Sequence, residues 1–133
     1  MIAILGANGM LGRSFVKFYG KEAIPVTRKD CDFSNIKQLI RHLDSKNFST
    51  LINCAANIDI NYIEQHHEDT FYINCILPNK IATYCKERSI KFVHISTDHS
   101  YKDKILKHTE KHPITLLNKY AEQKFIAENL IFY

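Results

Sequence analysis

Residues 1–12 read MIAILGANGMLG. An apolar run is followed at once by Gly6, Gly9 and Gly12, and the whole chain has only four glycines. Residues 10–19 then place Leu11, Phe15, Val16 and Phe18 at helical spacing. A buried strand, a glycine turn and a helix is the arrangement that cradles a dinucleotide. Gly6 makes the tight turn, Gly9 lets backbone approach a pyrophosphate, and Gly12 lets the helix pack close to the strand. The helix start adds free N–H groups and a partial positive charge. No GK[ST] follows, which argues against a nucleoside-triphosphate P-loop.

The rest of the chain repeats the alternation. Apolar strands are expected over residues 1–5, 23–27, 50–55 and 91–96. Between them lie an amphipathic helix over 34–45, capped by Ser34, and a long helix over 68–88 that Pro78 kinks or breaks. A polar stretch precedes that long helix, a loop covers 97–117, and a last helix covers 118–130. Short apolar strands with helical crossovers predict an α/β fold with a doubly wound, Rossmann-type, mostly parallel sheet. We expect one domain over residues 1–133.

Composition narrows the class. Of 133 residues, 45% are hydrophobic and 24% charged, enough for a core under an ordinary surface. No apolar run approaches the ~20 residues of a membrane span, and the start lacks a signal-peptide pattern. A cytoplasmic protein that engages neither membrane nor nucleic acid is expected. The net charge of +4 is scattered, which suits an anionic small molecule. Cys31, Cys54, Cys75 and Cys85 form no CxxC pair and read as buried thiols. His66-His67 and His108/His112 lack a third ligand at metal spacing, so no metal is expected.

The end of the second strand sorts the cofactor. An acidic residue there suits NAD; a cation suits the extra phosphate of NADP. The sequence offers Arg28 and Lys29, then Asp30, so NADP (NADPH) is favoured over NAD, with Asp30 as the competing acid. Asp32 is placed to reach the adenine edge. Further on, Tyr120 and Lys124 are four apart on the last helix and share a face. A tyrosine near an ammonium is drawn down from its free value of about 10, so Tyr120 is expected to move a proton at neutral pH. Thr97, with Ser96 as the alternative, stands at the carboxyl end of the fourth strand, where open α/β sheets bind ligands.

The stretches GANGMLG, CDFSN, INCAAN, YIN, VHISTD and NKYAEQKFIAE occur in order along the whole chain. Together they resemble the extended short-chain dehydrogenase/reductases, most closely the dTDP-4-dehydrorhamnose reductases. The resemblance implies Thr97, Tyr120 and Lys124 as catalytic residues. It implies a cofactor surface of Gly6, Asn8, Gly9, Met10, Leu11 and Gly12, then Arg28, Lys29, Asp32, Phe33 and Ser34. Cys54, Ala55, Ala56 and Asn74 complete that surface, with Tyr120 and Lys124 reaching the cofactor as well. It departs from family usage at Asn61, at His99-Ser100-Tyr101 and at Ala121, which bears on the sugar more than on hydride chemistry.

The implied function is NADPH-linked reduction of a 4-keto sugar nucleotide. Two alternatives remain: an NAD-dependent sugar-nucleotide epimerase or dehydratase, and a truncated, non-catalytic dinucleotide-binding module. His99 after Asp98 argues against a dehydratase, which usually carries an acidic pair there. Family members continue well past the YxxxK helix into a C-terminal substrate domain, which this chain is expected to lack. The chain alone is therefore expected to turn over a nucleotide sugar weakly or not at all. Its apolar end, Leu130-Ile131-Phe132-Tyr133, reads as an association surface for a second copy or a complementing chain.

Overall fold

The computed structural model describes residues 1–101 and 108–132. The sheet has four parallel strands: β1 (Ile2–Leu5), β2 (Ala23–Val26), β3 (Thr50–Asn53) and β4 (Lys91–His94). Their order across the sheet is β2-β1-β3-β4. β2 and β3 thus flank β1 on opposite sides. Right-handed crossovers then put α1 (Met10–Tyr19) and α2 (Ile36–Asp44) on opposite faces. The core reflects this. Ala3, Leu5, Val26 and Leu51 pack with Leu39 and Leu43 of α2 and with Leu77 and Ile81 of α5 (Leu77–Glu87). The doubly wound parallel architecture expected from the sequence is present.

The first crossing of chain happens at the switch in strand order. Gly6 has φ +79°, and a Cβ there would lie 2.8 Å from the Ala55 backbone nitrogen. Gly12 sits under the same turn, where an added Cβ would strike the Gly6 carbonyl oxygen. Both glycines are required by close backbone approach, one between the β1 and β3 loops and one between loop and helix.

Several boundaries differ from expectation. The cap of α2 is Asn35, whose side chain accepts from the Gln38 amide, not Ser34. Ser34 instead donates its amide and hydroxyl to Asp32, which ties it into a turn before the helix. The polar stretch after β3 holds a helix, α3 (Ile60–Gln65), capped by Asp59. The expected long helix is three pieces: α4 (His67–Phe71), a π turn (Tyr72–Ile76) and α5. In the π turn the Leu77 N–H reaches back to the Tyr72 carbonyl. Pro78 follows immediately, in the first turn of α5, where its missing N–H costs least.

A 3-10 turn (Asp98–Ser100) follows β4, and α6 (Lys119–Phe132) closes the chain. Asn118 caps α6 by accepting from the Ala121 amide. Part of the loop expected over 97–117, and Tyr133 of the apolar end, lie outside the described residues. Phe132 is 84% exposed. Among the described residues no helix is long and apolar enough to cross a membrane.

Candidate functional site

A cavity of about 690 Å³ opens at the carboxyl ends of the strands. Gly6, Asn8 and Gly9 form one wall, and Arg28, Asp32, Phe33 and Ser34 form the next. Cys54, Ala55 and Ala56 form the floor of the switch point. The first amides of α1 have no partner within the helix, and Gly9, its cap, carries no side chain to cover them. Ten of the cofactor positions expected from the sequence therefore share one cavity.

The others are placed differently. Met10 and Leu11 point into solvent and offer only backbone, and Gly12 is buried below the turn. Lys29 is off the wall; its amide donates to Thr27 Oγ1. Asn74 is 0% exposed and off the wall. Its Oδ1 accepts from the Asn57 amide at 2.8 Å, and its Nδ2 donates to the Asn57 carbonyl and to Gln123 Oε1. Asn74 thus holds the loop that lines the cavity from behind. Its neighbours Tyr72 and Ile73 face the cavity instead. They stood in the same YIN stretch, but the π turn decides which of the three points where.

Charge on the wall is sparse. Arg28 makes no hydrogen bond or ion pair among the described residues. Asp30 does not compete with it. Thr27 donates its hydroxyl at 2.7 Å and its amide at 2.8 Å to one oxygen of Asp30, and these hold that acid below its ordinary value. Asp32 is likewise held down, by the Ser34 hydroxyl first and then the Ser34 amide. The Tyr72 hydroxyl is buried without a partner among the described residues. Burial, and then Asp32, push its phenol up, so it stays a neutral donor at the wall. An open glycine turn, an unpaired guanidinium and an unpaired phenol fit an anionic dinucleotide. Among the described residues no group of three or more His, Cys, Asp and Glu side chains is placed to hold a metal ion.

Thr97, Tyr120 and Lys124 lie outside that wall, at the ends of β4 and the start of α6. Thr97 Oγ1 accepts from the His99 amide at 3.2 Å, and its own O–H is left to donate on the Tyr120 side. Tyr120 meets the His99 ring edge-on at 5.9 Å. Burial pushes the Tyr120 phenol up; the Thr97 hydroxyl opposes this and Asp98 adds to it. That is opposite to the lowering expected from Lys124. The reason is where the lysine goes. Lys124 is 2% exposed, and its Nζ lies 3.0 Å from His94 Nε2. Burial draws its ammonium down to about 8, with Cys75, Glu128 and Cys54 opposing.

His94 was not singled out in the sequence. Its Nδ1 lies 3.1 Å from Asn53 Nδ2, and burial, then Lys124, draw it down to about 3, so it is neutral. The sequence signal existed: Asn53 and His94 end their strands in INCAAN and VHISTD. Only the register, which pairs Asn53 with His94, turns that into a contact.

Known proteins match over the same span. The chain is 26% identical over 132 residues to a dTDP-4-keto-6-deoxy-D-glucose reductase of Streptomyces niveus, covering 96% of this chain and 46% of that protein. It is 29% identical over 111 residues to a probable low-salt glycan biosynthesis reductase of Haloferax volcanii, covering 74% and 37%. The fold superposes with a TM-score of 0.90 on the dTDP-4-dehydrorhamnose reductase of Bacillus anthracis solved in complex with NADP, at 27% identity, covering 98% and 48%. The chain spans less than half the length of these relatives. Residues 1–132 match the family described as RmlD substrate binding domain, and the chain belongs to that family.

Proposed function

We propose that this chain carries the dinucleotide half of an NADPH-linked reductase of a 4-keto sugar nucleotide, working in the cytoplasm. The observation that carries the reading is the cavity at the strand-order switch, with the glycine turn on one side and the unpaired Arg28 on the other. Arg28 suits the extra phosphate of NADP, because Asp30 is consumed by Thr27. When bound, NADPH supplies the hydride. The chain's own groups then bind, orient and move a proton. The first amides of α1 receive the pyrophosphate, and Ala55 and Ala56 leave room for backbone to approach it. Thr97 donates a hydrogen bond from its hydroxyl to the substrate's carbonyl oxygen and keeps its proton. Tyr120, kept as a phenol by burial, gives its proton to that oxygen as the carbonyl becomes an alcohol. The relatives' names, one a dTDP-4-keto-6-deoxy-D-glucose reductase and the other a probable reductase of glycan biosynthesis, support the substrate class.

Titration of the full chain with NADPH and NADH tests this. NADPH should bind more tightly than NADH. Arg28→Ala should weaken NADPH about tenfold or more, the weight of a charged hydrogen bond, and leave NADH nearly unchanged. Equal affinities insensitive to Arg28 overturn the cofactor assignment. One observation favours a second reading, dinucleotide binding without turnover: Lys124 turns its Nζ to His94. Tight NADPH binding with no reduction of a dTDP-4-keto-6-deoxy sugar would select it.

A further inference from the structure

Gln123 stands on α6 between Tyr120 and Lys124, but it faces neither the cavity nor solvent. Its Oε1 accepts from Asn74 Nδ2 at 2.6 Å. Its Nε2 donates to Thr70 Oγ1 at 2.8 Å and to the His67 carbonyl at 2.9 Å, and lies 3.0 Å from His67 Nδ1. Its backbone carbonyl accepts from the Cys75 thiol at 3.0 Å. Burial pushes that thiol up to about 12, so it keeps its proton and donates.

These partners frame one side of the cavity. His67 and Thr70 lie on α4, and Asn74 and Cys75 in the π turn. Asp69, Tyr72 and Ile73, on the same stretch, face the cavity. Asn74 adds a second segment. It accepts from the Asn57 amide at 2.8 Å and donates to the Asn57 carbonyl at 3.0 Å, and Asn57, Ile58 and Asp59 line the cavity as well. Two separate stretches of wall, 57–59 and 69–73, thus meet at one side chain behind them.

The direction of the amides is not free. A backbone N–H always donates, so the Asn57 amide fixes Asn74 with its oxygen towards the loop. The Asn74 NH₂ can only donate, so Gln123 must turn its oxygen to Asn74 and its own NH₂ to the acceptors on α4. The position asks for an acceptor on one side and a donor on the other, at the reach of a glutamine.

We propose that Gln123 is a positioning residue of the cavity: it hangs the wall formed by 57–59 and 69–73 from the helix that carries Tyr120 and Lys124. It touches no cofactor itself. Its effect on affinity rests on the reductase reading only in that a dinucleotide fills the cavity, and not on the choice between NADPH and NADH.

The test compares full chains under conditions where urea unfolding shows them folded. Gln123→Met keeps the length of the side chain and removes the amide. Without cofactor, the Asn57 amide should then exchange with heavy water about tenfold faster by NMR, the weight of one buried hydrogen bond. NADPH and NADH should both bind about tenfold more weakly, because the wall serves what the two share. Tyr84→Phe is the control. It removes the bond to Asp44 near the other end of α5, and should leave both readouts within about twofold. If Gln123→Met does not fold, Gln123→Asn takes its place with the same expectation, being one methylene too short to span from Asn74 to Thr70.

An Asn57 amide that exchanges at the wild-type rate overturns the proposal, and so does one that loosens while both affinities hold. A loss for NADPH alone, the result expected of Arg28→Ala, overturns it too. The reductase reading fails separately. Equal affinities in the wild type remove its cofactor assignment and leave the Gln123 comparison intact. A wild type that binds neither dinucleotide removes that reading, and the Asn57 exchange still decides whether Gln123 holds the wall.

Discussion

Asn53 and His94 are register partners at the carboxyl ends of adjacent parallel strands, and their side chains meet at 3.1 Å. Register partners on parallel strands point to the same face, so the pairing that builds the sheet also aligns the two polar groups. Lys124 arrives from α6 on the same side and completes the line.

That line makes the fold sensitive to acid. His94 is drawn down from 6.5 to about 3, chiefly by burial. A base with a lowered folded value binds its proton more readily when unfolded. Its contribution is thus complete above about pH 6.5 and is lost as pH falls from there towards 3. The difference sets a ceiling of about 5 kcal/mol. Melting temperature followed against pH should fall more steeply for the wild type than for His94→Gln across that window. Parallel curves would show that His94 is not the group titrating.

Gly6 should tolerate no side chain. Its φ of +79° disfavours any L-residue, and a Cβ would press on the Ala55 and Cys54 backbone rather than on a movable side chain. Gly6→Ala should cost about 2–4 kcal/mol in urea unfolding, part backbone strain and part displaced chain. It should also weaken NADPH binding, because the two loops it separates form the cavity floor. A loss below about 0.5 kcal/mol would mean that the loops do not approach this closely.

Asn74 and Gln123 should behave as one unit. Gln123 is 0% exposed; its Nε2 donates to Thr70 Oγ1 at 2.8 Å and to the His67 carbonyl at 2.9 Å, while its Oε1 accepts from Asn74. Removing either amide strands buried partners, at about 1–3 kcal/mol for each group left unpaired. Asn74→Ala and Gln123→Ala should each destabilise by about 2–3 kcal/mol, and the double variant by clearly less than the sum. Strict additivity would show that the amides act separately.

The glycine turn was legible because its requirements are local. Gly6, Gly9 and Gly12 lie within seven residues, and the strand before and helix after them announce themselves by apolar spacing. The same holds for the core face of α2 and for the YxxxK spacing on α6. Pro78 marked a break, but not its form. A π turn shifts the hydrogen bonds by one residue, and with them the direction of Tyr72, Ile73 and Asn74. The resemblance implied Asn74 as a cofactor contact, and the structure turns its side chain to Asn57 and Gln123 behind the wall.

By itself, then, the sequence determined the strand-turn-helix start, the alternation that makes a parallel sheet and the presence of Arg28 after β2, because each depends on neighbours a few residues apart. Only the tertiary structure decided that Asn53 meets His94 across 41 positions, that Lys124 meets His94 across 30, and that Asn74 meets Gln123 across 49. Those contacts depend on strand register and on how α6 docks. They set which buried polar groups meet, and no local pattern of residue types carries that information.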